Sequence, residues 1–276
     1  MKIQNEVLKS RNNPKVKWAA SLSNKKTRGV ERAFLAEGEK LTAEALSAGL
    51  PVSHVFVSES KRARVLELLS EELTSPQYEK TELITVSDGV FEKISTEKAP
   101  QGVISVIKYL DFFNNADIIY KEEFFLKPDE RALFLCSVRD PGNLGAVIRS
   151  AAAFGVDHII LSSDSADIYN HKTIRAAMGS LFRVRITVVS DIPSFIASAK
   201  ACGRRVFAAE LSDNALSLAS VEIKPSDIFM IGNEGHGIPY EISSLCDCSV
   251  YIPISNVTES LNAAVAAAIF MWEQSK

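Results

Sequence analysis

The C-terminal half of the chain predicts an α/β fold with a parallel, doubly wound sheet. Strand-length segments there are apolar on both faces, the pattern of strands covered on both sides. They alternate with helix-length stretches. The loops that follow them are rich in glycine and polar side chains, as expected where ligands gather at the carboxyl ends of strands.

In order, the strands are expected at Ala132–Cys136, His158–Leu161, Val184–Val189, Val206–Ala209, Ile228–Ile231 and Val250–Pro253. Helices are expected near Leu144–Phe154, Ile174–Leu181, Ile192–Ala201, Tyr240–Leu245 and Leu261–Gln274. Asp140 to Asn143 is turn chemistry before the first helix, and Gly155 stops that helix. Ser260 is a candidate N-cap for the last one. The first part of the chain also alternates helical and strand patterns: Pro14–Leu22, Ala33–Ala36, Lys40–Ala48, Val52–Val57, Arg62–Leu73, Leu83–Val86 and Val103–Ile107. It reads as a smaller α/β domain over 1–108, joined by a charge-rich linker over 109–131 to a domain over 132–276.

Composition removes several classes. The chain has 276 residues, 46% of them hydrophobic, which is enough for one or two real cores. No apolar run is long enough to span a bilayer and no signal-peptide core is visible, so a cytoplasmic, non-membrane protein is expected. Cys136, Cys202, Cys246 and Cys248 have no zinc spacing. His54, His158, His171 and His236 form no metal motif. No metal is therefore expected. The formal charge is −3, but the first forty residues carry ten basic side chains against four acidic ones. Arg11, Lys15, Lys25, Lys26 and Arg28 stand among them as candidate RNA contacts. A solvated charged face is the plain alternative.

Three strand exits in the second half concentrate polar residues. Asp140-Pro-Gly-Asn-Leu-Gly-Ala-Val-Ile-Arg149 runs a glycine turn into a helix carrying one arginine. It has neither dinucleotide-fingerprint nor phosphate-loop spacing. Ile231-Gly-Asn-Glu-Gly-His-Gly237 lets backbone approach a ligand closely and exposes Glu234. Ile252-Pro-Ile254 leads to Ser260-Leu-Asn262.

Together and in this order, these motifs resemble those of the SpoU-type, or TrmH-like, RNA ribose 2′-O-methyltransferases of the SPOUT class. Arg11-Asn-Asn-Pro-Lys15, Phe34-Leu-Ala-Glu-Gly-Glu39 and Pro100-Gln-Gly-Val103 are similar to the L30e-like substrate-binding domain of the ribosomal-RNA branch. Two departures are visible: isoleucine at 254, where the family often has methionine, and Ser255-Asn-Val-Thr258 in place of a more glycine-rich spacer.

The resemblance implies a C-terminal α/β knot, a homodimer, and S-adenosyl-L-methionine as methyl donor to a ribose of RNA, with 23S ribosomal RNA as the expected substrate. A transfer RNA substrate, or a non-catalytic RNA-binding or ribosome-assembly factor, are the competing readings. The implied catalytic residues are Arg149, Asn143, Glu234, Ser260 and Asn262. The implied cofactor site is Ala209, Glu210, Leu211, Ile231, Gly232, Asn233, Gly235, Ile252, Ile254 and Leu261. Arg175, with Ser180, is a further candidate RNA contact, and ordinary surface helix chemistry is the alternative. A guanidinium stays charged, so the role expected of Arg149 is to stabilise the alkoxide forming at the ribose and to bind an adjacent phosphate.

Overall fold

The computed structural model describes residues 1–4, 6–110, 130–255, 257 and 260–276. The chain forms two compact units, Met1–Leu110 with Tyr169–Phe182, and Asp111–Ile168 with Arg183–Lys276. Most of the linker expected at 109–131, and Asn256 and Thr258 of the spacer, lie outside the described residues.

The first unit contains β1 (Lys2–Ile3), α1 (Pro14–Ser21), α2 (Lys25–Glu31), β2 (Ala33–Glu37), α3 (Glu39–Ser47) and β3 (Val52–Ser58). It continues with α4 (Arg62–Leu68), α5 (Ser70–Thr74), β4 (Glu82–Val86), α6 (Asp88–Ile94) and β5 (Val103–Lys108). The sheet order is β1-β4-β3-β5-β2, with β5 antiparallel to both its neighbours. Asn13 caps α1 by accepting from the Lys15 amide at 2.9 Å, with Pro14 at the first helical position. The α1 face bearing Val16 and Ala19 is buried with Phe56, Ile84 and Phe91.

The second unit contains β6 (Ala132–Leu135), α7 (Pro141–Phe154) and β7 (His158–Ser162). The chain then contributes α8 (His171–Ala177) to the first unit. It returns with β8 (Arg185–Val189), α9 (Ile192–Ala201), β9 (Val206–Ala209), β10 (Leu216–Ser217), β11 (Ile228–Ile231), α10 (Tyr240–Ser243), β12 (Cys248–Tyr251) and α11 (Ala263–Ser275). The seven strands run β10-β12-β9-β11-β6-β7-β8, every neighbouring pair parallel. Phe134, Phe195, Phe229 and Phe270 are fully buried around them, each contributing about 1.5–3 kcal/mol of burial. This is the parallel α/β sheet the apolar strands predict.

One excursion departs from the simple crossover pattern. The helix between β7 and β8 was expected as a cover for the parallel sheet, but the segment 169–182 packs with the first unit. Tyr169 stacks on Tyr109 with ring centres 3.9 Å apart and tilts against Phe34 at 4.7 Å. Its hydroxyl accepts from the Leu110 amide at 3.1 Å. Ile174, Ala177 and Leu181 are buried there. A local pattern reports that a helix has an apolar face but not which core receives it.

Candidate active site

The first motif is built by local chemistry. Asp140 caps α7 by accepting from the Asn143 amide at 2.8 Å, Pro141 takes the first helical position, and Gly155 closes the helix at φ 68°. The helix therefore begins earlier than expected, and it holds Asn143 in its first turn.

The second motif is a tight glycine turn after β11. Asn233 and Gly237 exchange backbone hydrogen bonds of 3.1 and 2.9 Å, and Asn233 Oδ1 accepts from the Gly235 amide at 2.8 Å. A Cβ on Gly232 would stand 2.7 Å from Ile238 N, a distance no side chain tolerates, and Gly237 has φ 65°. Those two glycines are required. Gly235 is less constrained, since a Cβ there would meet only Asn233 Oδ1 at 3.4 Å. The Asn233 amide group donates to the Ser137 carbonyl at 2.8 Å, tying this turn to the connection that leads into the first motif.

The third motif opens α11, and here the capping expectation is corrected. Asn262, not Ser260, is the N-cap: its Oδ1 accepts from the amides of Ala264 at 2.9 Å and Val265 at 3.3 Å. The helix starts two residues after Leu261, so Ser260 is too far upstream to reach its free amides.

A cavity of about 610 Å³ lies at the carboxyl ends of the adjacent strands β12, β9 and β11. Ala209, Glu210, Leu211, Ile231, Gly232, Asn233, Glu234, Ile252, Ile254, Ser260 and Leu261 all line it. Gly235 does not. Sequence reasoning missed Gly237, Val250, Tyr251, Ser255, Ala263, Ala266 and Phe270 as lining residues. Gly237 was visible as the third glycine of its turn. Val250 and Tyr251 end β12, and Phe270 reaches the cavity only through the packing of α11 on β11. The lining is mostly apolar, with carboxylates at Glu210 and Glu234. Ser249 Oγ donates to Glu210 Oε1 at 2.7 Å.

The three motifs meet through hydrogen bonds. The Asn143 amide group donates to Glu234 Oε1, and the Asn262 amide group donates to Asn143 Oδ1 at 3.0 Å. This chain of three side chains reaches the cavity at Glu234, which is a lining residue.

The profile of the SpoU rRNA Methylase family matches residues 130–272, and that of the MRM3-like substrate binding domain matches residues 13–105. The chain belongs to the SpoU rRNA methylase family. It is 32% identical over 267 residues to the 23S rRNA (guanosine(2553)-2′-O)-methyltransferase RlmP of Bacillus subtilis, covering 96% of this chain and 97% of that protein. It is 28% identical over 269 residues to the 23S rRNA (uridine(2479)-2′-O)-methyltransferase of Streptomyces viridochromogenes, covering 96% and 90%. The AdoMet-bound rRNA methyltransferase from Sinorhizobium meliloti superposes with a TM-score of 0.81 at 28% identity, covering 99% of this chain and 97% of that one. This SpoU methylase is thus an S-adenosylmethionine-dependent RNA methyltransferase.

Other candidate residues of the methylase do not line the cavity. Arg149 is exposed on α7 and does not line it. Six residues beyond Asn143, it stands about 9 Å further along the helix and about 120° around it. In the first unit, Lys25 and Lys26 are exposed on α2. Lys15 pairs with Glu82, Arg175 with Glu97, and Arg11 Nε donates to the Gly89 carbonyl at 2.9 Å. Arg28 is buried, its Nη1 donating to the carbonyls of Leu22 at 3.0 Å and Ser23 at 2.7 Å. That guanidinium closes the end of α1, a framework task that leaves it away from the surface. Among the described residues, no three His, Cys, Asp or Glu side chains are grouped to hold a metal ion, and no helix is long and apolar enough to cross a membrane.

Proposed function

We propose that this methylase transfers the methyl group of S-adenosylmethionine to a ribose 2′-hydroxyl of 23S ribosomal RNA. The observation that carries the reading is the Asn262–Asn143–Glu234 hydrogen-bonded chain that ends on the cavity-lining Glu234. The named activities of the B. subtilis and S. viridochromogenes relatives, matched over nearly their whole length, support the substrate.

The cavity suits the donor. Its volume is within the range of about 300–1,000 Å³ typical of cofactor sites. Ile231, Val250, Ile252 and Leu261 offer apolar walls to an adenine, while the turn at Gly232 brings peptide groups close enough to bond its edge. When bound, S-adenosylmethionine supplies a methyl group already activated by its sulfonium, so in-line alignment of the hydroxyl is the main demand. Glu234 and Asn143 hold the ribose side of the site, Asn262 fixes Asn143, and Ser260 faces the same space. Arg149 stabilises the forming alkoxide and binds a neighbouring phosphate, and the proton passes to that phosphate or to water.

Arg149 does not reach its own cavity, which favours a homodimer in which it works beside the other copy's donor. An exposed apolar stripe supports this: Val265 and Trp272 lie two turns apart on α11, and Trp272 meets Phe154 of α7 edge-on. The knotted path of the C-terminal segment belongs to the same proposal, supported by a cavity built jointly from the exits of β9, β11 and β12 and the head of α11. An enzyme acting on ribosomal RNA works in the cytoplasm.

The direct test is to map ribose methylation in 23S rRNA from cells with and without the gene. Loss of one methylated ribose is expected, and an unchanged map would overturn the substrate. Arg149→Lys keeps the charge but loses the planar fork. It should lower turnover by about 10²–10³ with intact donor affinity, and near-normal turnover would sink the assignment.

A further inference from the structure

We infer that Arg139 is a substrate contact, a clamp for an RNA backbone phosphate beside the methyl-transfer site, held in position by Asp164. This rests on the RNA methyltransfer reading above. Arg139 lies in the short connection from β6 to α7, immediately before the capping Asp140. Asn143, in the first turn that Asp140 caps, is the residue that holds the cavity-lining Glu234.

The connection is firmly held: Cys136 and Val138 are buried, Ser137 is half-buried, and only Arg139 and Asp140 are exposed. Ser137 has φ 58°, a left-handed conformation that a non-glycine residue adopts at a cost, and all its polar atoms are engaged. Its amide donates to Ser162 Oγ at 2.7 Å, its hydroxyl donates to Asp164 Oδ2 at 2.7 Å, and its carbonyl accepts from Asn233 at 2.8 Å. Ser162 Oγ donates to the other Asp164 oxygen at 2.7 Å. The Asp164 carboxylate is therefore pinned to the ends of two neighbouring strands, and onto it Arg139 Nη2 donates at 3.0 Å. Burial alone would raise the Asp164 carboxyl, but the bonds from Ser162, Ser137 and Arg139 outweigh it and hold it below the usual aspartate range.

An exposed ion pair contributes little to stability and needs no such scaffold. What the scaffold achieves is direction. One edge of the guanidinium is tied to Asp164 while the side chain stays 69% exposed. The remaining N–H groups form a planar fork that faces solvent, the donor geometry that matches two phosphate oxygens. Asp164 is thus a positioning residue and Arg139 the group that touches RNA.

The test uses the full-length enzyme, S-adenosylmethionine and an unmodified 23S rRNA transcript. Arg139→Gln should raise KM for the transcript roughly tenfold, the effect of losing one charge-assisted contact, with the loss falling on KM rather than kcat and donor affinity by calorimetry unchanged. The slope of log affinity for RNA against log salt should fall by about 0.7–0.9, one phosphate contact. Asp164→Asn should move KM in the same direction, and the double variant should be no worse than Arg139→Gln alone. Unchanged KM and salt slope in Arg139→Gln, or a loss confined to donor affinity, would overturn the inference. Additive effects of the two substitutions would overturn the role of Asp164. If the wild-type enzyme fails to bind the donor or to methylate the transcript, the functional reading fails instead, and the salt slope of RNA binding still decides Arg139.

Discussion

Asn143 donates its amide hydrogens to Glu234, a residue 91 positions further along the chain. It also accepts from Asn262 at 3.0 Å, so one side chain in the first turn of α7 aligns all three motifs. Asn143→Asp replaces a donor with a second carboxylate facing Glu234, a like-charge contact that pushes the site open. Turnover should fall roughly 100-fold, the scale of a displacement near 1 Å, while the cavity still binds S-adenosylmethionine. Adding Glu234→Gln restores a donor opposite the new aspartate and should recover part of the activity. Methyl transfer by Asn143→Asp at the wild-type rate would show that the alignment is not needed.

The two strict glycines of the β11 turn fail for different reasons, and their substitutions should separate. Gly232→Ala drives a Cβ into backbone at Gly237 and Ile238, so the turn must open and donor binding should be lost. Gly237→Ala meets no atom within 4 Å but forces alanine to φ 65°, which costs about 1–2 kcal/mol. It should lower the melting temperature and leave donor affinity nearly intact. Calorimetry and thermal melts on both variants check this, and equal donor affinities would refute the crowding argument.

Sequence legibility followed the range of the interactions. The tail of α7 was readable because Gly155 acts locally, whereas its head reads in the sequence as a turn through Asn143 although the helix opens at Pro141 under the Asp140 cap. Six of the seven parallel strands were readable from their largely apolar runs, and the two-residue β10 is too short to leave a pattern. The helix α2 was hidden inside a basic run whose surface faces water. The destination of Tyr169 to Phe182 depends on Phe34 and Tyr109, contacts no local pattern records. The family motifs named Asn143, Glu234 and Asn262 but not the hydrogen bonds joining them. Arg28 looked like its neighbours Lys25 and Lys26 until burial distinguished it.

The exposed stripe on α11 gives a prediction about assembly. Trp272 is 52% exposed and Val265 49% exposed, so changing both to glutamate should leave the monomer fold intact while burying two charges in any interface they form. Light scattering should then report a monomer, and methyl transfer should fall with donor binding largely kept. A dimer of wild-type mass from Val265→Glu/Trp272→Glu would place the interface elsewhere.

His158 gives the acid sensitivity of the fold, at the end of the parallel sheet away from the site. It starts β7 and is 1% exposed. The Arg185 guanidinium, which can only donate, lies 3.0 Å from Nδ1, so that nitrogen is an acceptor and Nε2–H donates to Thr187 Oγ1 at 2.8 Å. The ring is neutral, and Glu130 at 3.6 Å pairs with Arg185 at 2.8 Å instead. Burial, reinforced by Arg185 and Arg204, pushes its pKa down to about 3. The unfolded chain binds this proton near pH 6.5, whereas the native state resists it down to about pH 3. Stability is therefore lost as pH falls through that window, by up to about 1.4 kcal/mol per pH unit for one proton. His158→Gln can still accept from Arg185 and donate to Thr187 but cannot titrate. Its stability in urea should decline less steeply than that of the wild type between pH 6.5 and 4, and parallel curves would rule out His158 as the group responsible.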